Sequence, residues 1–277
     1  MIHSLATDIE IFQNLFSATF VDLQDYLKVF KDCGEKALTE CLTVAEIESR
    51  LDKVKSDIFY ISDTDDSQLL SLVEYINSKE AHFENDVPVR YDVFGYNNQA
   101  YDDMLFKTFM MYFNRFDNTK QLITKLKEVS DKIISLQDDK DAFWKDRELD
   151  LIRKYPLPWA TVDLFKVYAL NSAGVNVDKD SGERKKFGKS LKQVSINLKW
   201  HNLLDFKLPP IDDEEGDIYR KKDAYRGMTN EQLNHLITND FDRYILPKYV
   251  EPMLHYNKND VYLVCEIARQ KPDEIKL

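Results

Sequence analysis

Strand-like and helix-like segments alternate along the chain, and this alternation constrains the fold more than any other feature of the sequence. Runs rich in β-branched and aromatic residues cover 4–12, 16–23, 57–63, 90–97 and 161–170. Amphipathic helical spacing fills most of the sequence between and after these runs. Because helices that separate strands pack on the faces of a sheet, we expect an α/β fold with a mixed sheet flanked by helices.

Nothing in the sequence marks a domain boundary. The chain has 277 residues, of which only 7 are Gly and 8 are Pro, and no Pro- or Gly-rich linker divides it. We therefore predict a single domain that spans 1–277. Helical stretches at about 24–56, 105–155 and 200–250 are interpreted as insertions into this domain.

Local signals set some of the predicted boundaries. Thr43 and Thr229 are each followed three residues later by Glu or Gln, the spacing of a capping box, so each predicts a helix start. A long helical stretch follows the second of them to the end of the chain, with an interruption at Pro247. The segments 171–189 and 211–217 are interpreted as loops.

The charge of the chain limits the kind of nucleic-acid protein that it can be. A net charge of −11 disfavours a broad nonspecific nucleic-acid surface and suits an enzyme that holds cations and touches few nucleotides. Two short basic clusters, 184–192 and 220–226, run against this average. Solvated loop faces explain these clusters as well as a nucleic-acid contact does.

The sequence also indicates a compartment. No apolar run approaches the roughly 20 residues of a membrane span, and the N-terminus lacks the basic and small-residue parts of a secretory signal. Cys33, Cys41 and Cys265 lack the spacing of metal ligands and are expected to be reduced thiols. We therefore expect a cytoplasmic protein with no membrane partner.

Two carboxylates stand two residues apart in the first apolar strand. Because side chains alternate along a strand, Asp8 and Glu10 project from one face while Ile9 and Ile11 project from the other. Two acids at that range repel each other unless a cation lies between them, and carboxylate oxygens suit Mg²⁺ or Mn²⁺. The pair indicates a metal site, although an exposed edge strand of alternating polarity gives the same pattern.

A third acid opens the helix that follows the strand at 90–97. Asp102 stands at the start of this predicted helix. A carboxylate there is also a favourable partner for the helix dipole and for N-terminal capping. Asp103 competes with Asp102 for either role.

Near the end of the chain, a phenol and a carboxylate share one helical face. Tyr256 and Asp260 are four residues apart, which places them one above the other on a helix. Together they can position a water molecule and a metal ion. A polar stripe on an amphipathic helix explains the same spacing without any chemistry.

In this order, the three elements resemble the motifs of the DEDD exonuclease superfamily, the DnaQ-like group with a ribonuclease H-like fold, in its Tyr-containing branch. The first motif of that family, D-x-E on the first strand, is similar to Asp8 and Glu10. Its third motif, Y-x-x-x-D, is similar to Tyr256 and Asp260. Nearly the whole chain takes part in the resemblance, which is closest in character to exonuclease regions encoded by bacteriophages.

The second motif is matched less uniquely. In the version found in family-B-type polymerases, an Asn precedes a Phe/Tyr-Asp pair by two or three residues, as Asn97 or Asn98 precedes Tyr101 and Asp102. The gaps between the motifs are lengthened here by the helical insertions. These insertions leave the path of a substrate and the identity of partners open.

The resemblance implies a ribonuclease H-like mixed sheet and a 3′→5′ exonuclease that releases nucleoside 5′-monophosphates from DNA with two Mg²⁺ or Mn²⁺ ions. The implied metal ligands are Asp8, Glu10, Asp102 and Asp260, and the implied water-orienting residue is Tyr256. The implied nucleotide contacts are Asn97, Asn98 and Tyr101, and candidates for the lysine of the family are Lys192 and Lys207.

The implied partner is a DNA 3′ end, single-stranded or frayed. A DNA polymerase in the same chain or beside it fits a role in phage-type replication and proofreading, in the host cytoplasm if the chain is phage-encoded. An RNA exonuclease or oligoribonuclease is an alternative, because contacts to the 2′-hydroxyl are not visible in the sequence. A non-catalytic nucleic-acid-binding or protein-binding module on the same fold is a second alternative.

Overall fold

A mixed β-sheet organises the fold, and it is built mainly from the first third of the chain. The computed structural model describes residues 1–137, 139–166, 174–177, 184–187 and 190–275. The strands of the sheet are β1 (Ile2–Ile11), β2 (Leu15–Asp22), β3 (Ser56–Ser62), β4 (His82–Glu84), β5 (Val87–Gly95) and β6 (Ala160–Asp163). A separate antiparallel pair consists of β7 (Gly174–Val177) and β8 (Arg184–Phe187).

The order along the sheet is β3-β2-β1-β5-β6, and β4 pairs with the first residues of β5. β2 runs antiparallel to both of its neighbours, whereas β1, β5 and β6 are parallel to one another. β1 therefore lies in the interior of the sheet, with β2 on one side and β5 on the other. The α/β class and the mixed sheet predicted from the sequence are confirmed.

Helices cover both faces of this sheet. They are α1 (Leu23–Val29), α2 (Leu38–Cys41), α3 (Val44–Leu51), α4 (Leu69–Asn77), α5 (Asp102–Tyr112), α6 (Thr119–Leu136), α7 (Lys140–Lys145), α8 (Arg147–Lys154), α9 (Leu191–Asn197), α10 (Asp213–Arg220), α11 (Asn230–Leu236), α12 (Pro247–Gln270) and α13 (Pro272–Ile275). Within the described ranges, none of these helices combines the length and the apolarity needed to cross a membrane.

Two separate hydrophobic cores lie on the two faces. On one face, aromatic side chains from β2 and α5 pack together with residues of α4, α6 and α8; the largest are Phe16, Phe20, Phe106 and Phe109. On the other face, the buried side of α12 packs against α1, α3 and α9 and against the sheet. Because side chains alternate along β1, Ile9 and Ile11 lie in the first core and Ala6 lies in the second.

Most of the elements expected from the sequence are present with boundaries shifted by a few residues. The capping boxes at Thr43 and Thr229 are both formed and begin α3 and α11. The helix interruption predicted at Pro247 is wrong. Pro247 begins α12, and in the first turn of a helix its missing N–H costs nothing.

Three predictions of local structure are wrong. The strand expected over 161–170 ends at Asp163, whose side chain accepts hydrogen bonds from Asn97 N and Phe165 N and so turns the chain; residues 167–170 lie outside the described part. The loop expected over 171–189 contains β7 and β8. The acidic loop expected over 211–217 overlaps α10, because Asp212 caps this helix and the acids of its first turn favour the helix dipole.

The helices between β2 and β3 are joined to α12 by a buried charged network. Tyr26 Oη donates a hydrogen bond to Glu266 Oε2 (2.9 Å), and Arg269 Nε donates to the same oxygen (2.8 Å). The guanidinium of Arg269 also donates to the carbonyl oxygens of Gly34 and Lys36. Glu266 and Arg269 are almost fully buried, at 1% and 5% exposure. This network fixes the position of α12 against the α1–α3 segment.

Replacing Arg269 by Met should destabilise the protein strongly. The change leaves the charge of Glu266 buried without its cationic partner, which typically costs about 3–5 kcal/mol. The matched control is Arg226→Met, because Arg226 pairs with Asp223 at a site where both side chains are largely exposed, and such pairs contribute less than about 1 kcal/mol. Urea unfolding followed by tryptophan fluorescence measures both variants, and equal losses would contradict the role assigned to the network.

Candidate active site

Asp8 and Glu10 lie on the face of β1 that α12 covers. Their neighbours Ile9 and Ile11 are buried in the core on the opposite face, so the alternation predicted from the sequence is observed. Glu10 is 7% exposed, and β1 is hydrogen-bonded on both sides. The explanation of this pattern as an exposed edge strand is therefore wrong.

The third acid comes from the start of α5, which follows β5. Burial and then the charges of Asp8 and Asp103 raise the pKa of Asp102 well above its ordinary value. The charge of Asp102 in turn raises the pKa of Glu10. Burial raises the pKa of Asp103 to about 6, while Thr161 and Lys107 lower it. Asp102, which begins the helix, is therefore the one that interacts with the two acids of β1.

Asp260 is the fourth acid, and it lies on α12 one turn after Tyr256. Burial raises the pKa of Asp260 to about 6, against lowering contributions from the Tyr256 and Asn259 hydrogen bonds and from Lys192. The charge of Asp260 raises the pKa of Asp8. Burial, followed by the charge of Asp260, raises the pKa of Tyr256 far above that of a free phenol. The phenol is therefore protonated at neutral pH.

Together, Asp8, Glu10, Asp102 and Asp260 form what we call the acid cluster. Burial is the largest cause of the raised pKa in each of the four, and repulsion from another member adds to it in the first three. Residues from three distant parts of the chain are thus brought together in a poorly solvated place. Such a group is stable only when protons or cations offset its charge.

The acid cluster suits a hard divalent cation by its donor chemistry, since Mg²⁺ and Mn²⁺ prefer carboxylate oxygens. Within the described ranges, no group of three or more His, Cys, Asp or Glu side chains is already arranged to hold a metal ion. The two observations are compatible, because acids can repel one another at distances longer than those of coordination. A cation bound among the ionised carboxylates would offset their repulsion.

Asn257 belongs to the site, although the sequence pattern did not single it out. Its Nδ2 donates a hydrogen bond to Asp8 Oδ2 at 2.7 Å, and this bond lowers the otherwise raised pKa of Asp8. The side chain is fully buried, and its Oδ1 has no hydrogen-bond partner among the described atoms. Its spacing of three residues from Asp260 on α12 is the signal that could have revealed it.

Asp163 is a second residue that the sequence analysis missed. It ends β6, is 3% exposed, and burial raises its pKa. Its Oδ1 accepts hydrogen bonds from the backbone N–H of Asn97 (2.9 Å) and of Phe165 (3.1 Å). Its charge also raises the pKa of Asp102. An acid at the carboxyl end of a strand parallel to β5 was the available signal.

The residues predicted to contact a nucleotide differ in accessibility. Asn97 is exposed and has a φ of 62°, in the left-handed region. Asn98 is fully buried against Gly95, where an added Cβ would lie 2.6 Å from the Asn98 side chain. The Tyr101 hydroxyl lies 2.6 Å from Ser130 Oγ on α6. Contact with a nucleotide stays a prediction for all three, and for Asn98 it requires the side chain to become exposed.

The two candidate lysines share one partner. Lys192 Nζ lies 3.2 Å from Asp205 Oδ2, and Lys207 Nζ lies 3.5 Å from the same oxygen. The charge of Lys192 lowers the pKa of Asp260, which places it within electrostatic range of the acid cluster. Of the basic side chains in 184–192, the structure describes Lys192 alone.

Comparison of the chain with models of protein families, with curated proteins and with solved structures gives no match. The interpretation of the site therefore depends on its own residues. Its distinguishing features are the partly buried acid cluster, the protonated phenol of Tyr256 and the amide of Asn257 bound to Asp8.

The raised pKa of Asp260 predicts a pH-dependent effect of Asp260→Asn on the metal-free protein. A carboxyl whose pKa is higher in the folded chain favours folding while it is protonated, and that contribution is lost as pH rises from its ordinary 3.8 through about 6. In EDTA, the variant should therefore have a higher Tm than the wild type at pH 8 and a similar Tm at pH 4. Scanning calorimetry at both pH values measures this, and a constant difference would contradict it.

Asn257→Ala should weaken the binding of Mn²⁺ by roughly 10–100-fold, the usual effect of removing a group that orients a metal ligand. The matched control is Asn14→Ala, which removes a buried amide outside the acid cluster that bonds to the backbone of Ile245, at 3.0 and 2.8 Å. Isothermal titration with Mn²⁺ at pH 7.5 compares the two variants with the wild type. Equal affinities for all three proteins would show that Asn257 does not orient Asp8 for a cation.

Proposed function

We propose that the chain is a divalent-metal-dependent 3′→5′ exonuclease that acts on DNA ends and has a ribonuclease H-like fold. The observation that carries this proposal is the acid cluster, which the fold assembles from β1, α5 and α12 with Tyr256 beside Asp260. The order and spacing of these residues resemble the DEDD exonucleases in their Tyr-containing branch. The acids of these motifs are also the ones whose charges raise one another's pKa values, and this agreement supports the proposal.

The sheet topology also supports a ribonuclease H-like fold. In the order β3-β2-β1-β5-β6, β2 alone runs against the other four strands. Asp8 and Glu10 lie on the interior strand β1, and Asp102 follows β5, its parallel neighbour. This places the acids where adjacent parallel strands end, which is a common position for a site in an open sheet.

Asp8, Glu10, Asp102 and Asp260 would hold the cations. When bound, a pair of such ions lowers the pKa of a water molecule and offsets the charge that develops on the leaving 3′ oxygen. Tyr256 keeps its proton, because its pKa is raised far above neutrality, so it acts as a hydrogen-bonding group that orients the attacking water and not as a base. Burial raises the pKa of Asp8, and the hydrogen bond that Asn257 donates lowers it again in part and orients the carboxylate.

The expected product is a nucleoside 5′-monophosphate, released from a single-stranded or frayed 3′ end. A DNA polymerase in the same chain or beside it, a replication or proofreading role, and a cytoplasmic location stay predictions from the resemblance. Preference for DNA over RNA depends on contacts near the terminal sugar. Digestion of DNA and RNA strands of equal sequence tests that preference.

The double variant Asp8→Asn/Glu10→Gln should keep its fold and lose turnover by roughly 10⁴-fold or more, as expected when groups essential to chemistry are removed. Digestion of 5′-labelled single-stranded, paired and mismatched DNA, and of RNA of equal sequence, is followed with Mg²⁺ and with EDTA. We expect a ladder from the 3′ end that requires Mg²⁺ and favours unpaired DNA termini.

The matched control for this experiment is Asp223→Asn, since Asp223 has a side chain that is 90% exposed and stands outside the acid cluster. It should digest DNA at the wild-type rate. Wild-type activity in the double variant, or full activity in EDTA, would refute the proposed function. Faster digestion of RNA than of DNA would show that RNA is the preferred substrate, and the proposed mechanism would be unchanged.

A further inference from the structure

A half-buried aromatic ring stands beside the acid cluster. The ring centroid of Phe206 lies 6.0 Å from that of Tyr256, with the planes inclined by 34°. Phe206 also packs edge-on against Phe12 at 5.8 Å, and Phe12 is a buried side chain two residues after Glu10. Phe12 directly follows β1 and Tyr256 lies on α12, so residues next to three of the four acids hold this ring in place.

Two lysines lie close to Phe206 in the chain or through its neighbour Asp205. Asp205, which precedes Phe206, pairs with both Lys192 and Lys207. These pairs are exposed, since 57% of the Lys192 side chain, 76% of the Lys207 side chain and 52% of the Asp205 side chain face solvent. Exposed ion pairs contribute little to stability. Both lysines can therefore exchange the carboxylate of Asp205 for a phosphate at small cost.

We propose that Phe206, Lys192 and Lys207 form the binding surface for the last nucleotides of a single-stranded 3′ end. This inference rests on the proposed function. The aromatic ring stacks on an unpaired base, and the two ammonium groups bind phosphates of the same strand. A base inside a duplex is already stacked and paired, so the surface selects single-stranded or frayed ends and tolerates any base.

The position of the surface agrees with this selection. Phe206 contacts Tyr256, the residue proposed to orient the attacking water, and the charge of Lys192 reaches Asp260. A nucleotide stacked on Phe206 would therefore lie next to Tyr256, the residue proposed to orient the attacking water. The acidic character of the whole chain explains why the basic surface is small and local.

A purely structural role for Phe206 makes a different prediction. Phe206 belongs to a small apolar cluster around Phe12. Phe241 also contacts Phe12, and the two rings stack with their centroids 5.4 Å apart. Phe241 is 44% exposed. Because it is also a phenylalanine that contacts Phe12, it serves as the matched control for Phe206. If Phe206 only fills space, then Phe206→Leu and Phe241→Leu should have equal effects.

The first test compares these two variants in binding and turnover. The probe is a fluorescein-labelled oligothymidylate, bound in Ca²⁺ and followed by fluorescence anisotropy, with kcat and KM measured on the same strand in Mg²⁺. Phe206→Leu should raise Kd and KM by roughly 5–100-fold and lower kcat less, since base–aromatic stacking contributes this much. Phe206→Trp should restore binding, and Phe241→Leu should bind as the wild type does.

The second test uses charge and does not depend on the packing of Phe206. Lys207→Gln should reduce the slope of log Kd against log salt concentration by about 0.7, the value expected for one phosphate contact on a single strand. The control is Lys145→Gln, whose side chain is similarly exposed at 78% and lies on α7. An unchanged slope in Lys207→Gln, or equal Kd values for Phe206→Leu and Phe241→Leu, would overturn the binding surface.

The two failures are distinguishable. If the wild type releases no nucleotide from any strand in Mg²⁺, the proposed function is wrong. If the wild type digests single strands and Phe206→Leu does so with wild-type KM, the nuclease proposal stands and the surface built on Phe206 is wrong.

Discussion

The rest of this structure depends on one constraint, the burial and mutual repulsion of four carboxyls, of which Glu10 and Asp102 are buried and Asp8 and Asp260 are half-buried. Asp8 and Glu10 are held by β1 in the interior of the sheet, and Asp102 and Asp260 are brought to them by α5 and α12. Each acid has a pKa raised first by burial. A fold that keeps such an arrangement loses stability at neutral pH unless a cation compensates it, and this loss is typical of a functional site.

The surrounding structure counteracts that repulsion without removing it. Asn257 donates to Asp8, and Asp163 fixes the turn before α5 through the backbone of Asn97. The buried pair of Glu266 and Arg269 anchors α12 to the helices between β2 and β3. The helical segments predicted as insertions thus include the parts that keep the acids in position.

The sequence revealed what depends on local periodicity. Alternation along β1 predicted that Asp8 and Glu10 share a face, and the spacing of four residues predicted the same for Tyr256 and Asp260. Local signals could not reveal the bond between Asn257 and Asp8, because those residues are 249 positions apart. The end of β6 and the contact of Phe206 with Tyr256 could not be predicted either, because both involve residues that are distant in the sequence. The acidic segment at the start of α10 was predicted to be a loop, because the helix-capping residue Asp212 is one of several consecutive acids and was not recognised as a cap.

Anomalous diffraction from crystals grown with Mn²⁺ measures whether the acid cluster holds divalent cations. We expect two manganese peaks, each bounded by carboxylate oxygens of Asp8, Glu10, Asp102 or Asp260. Peaks should be lost when Asp8 and Glu10 are replaced by their amides. If saturating Mn²⁺ gives no peak among these four side chains, or gives peaks only at surface acids, the acid cluster is not a cation site.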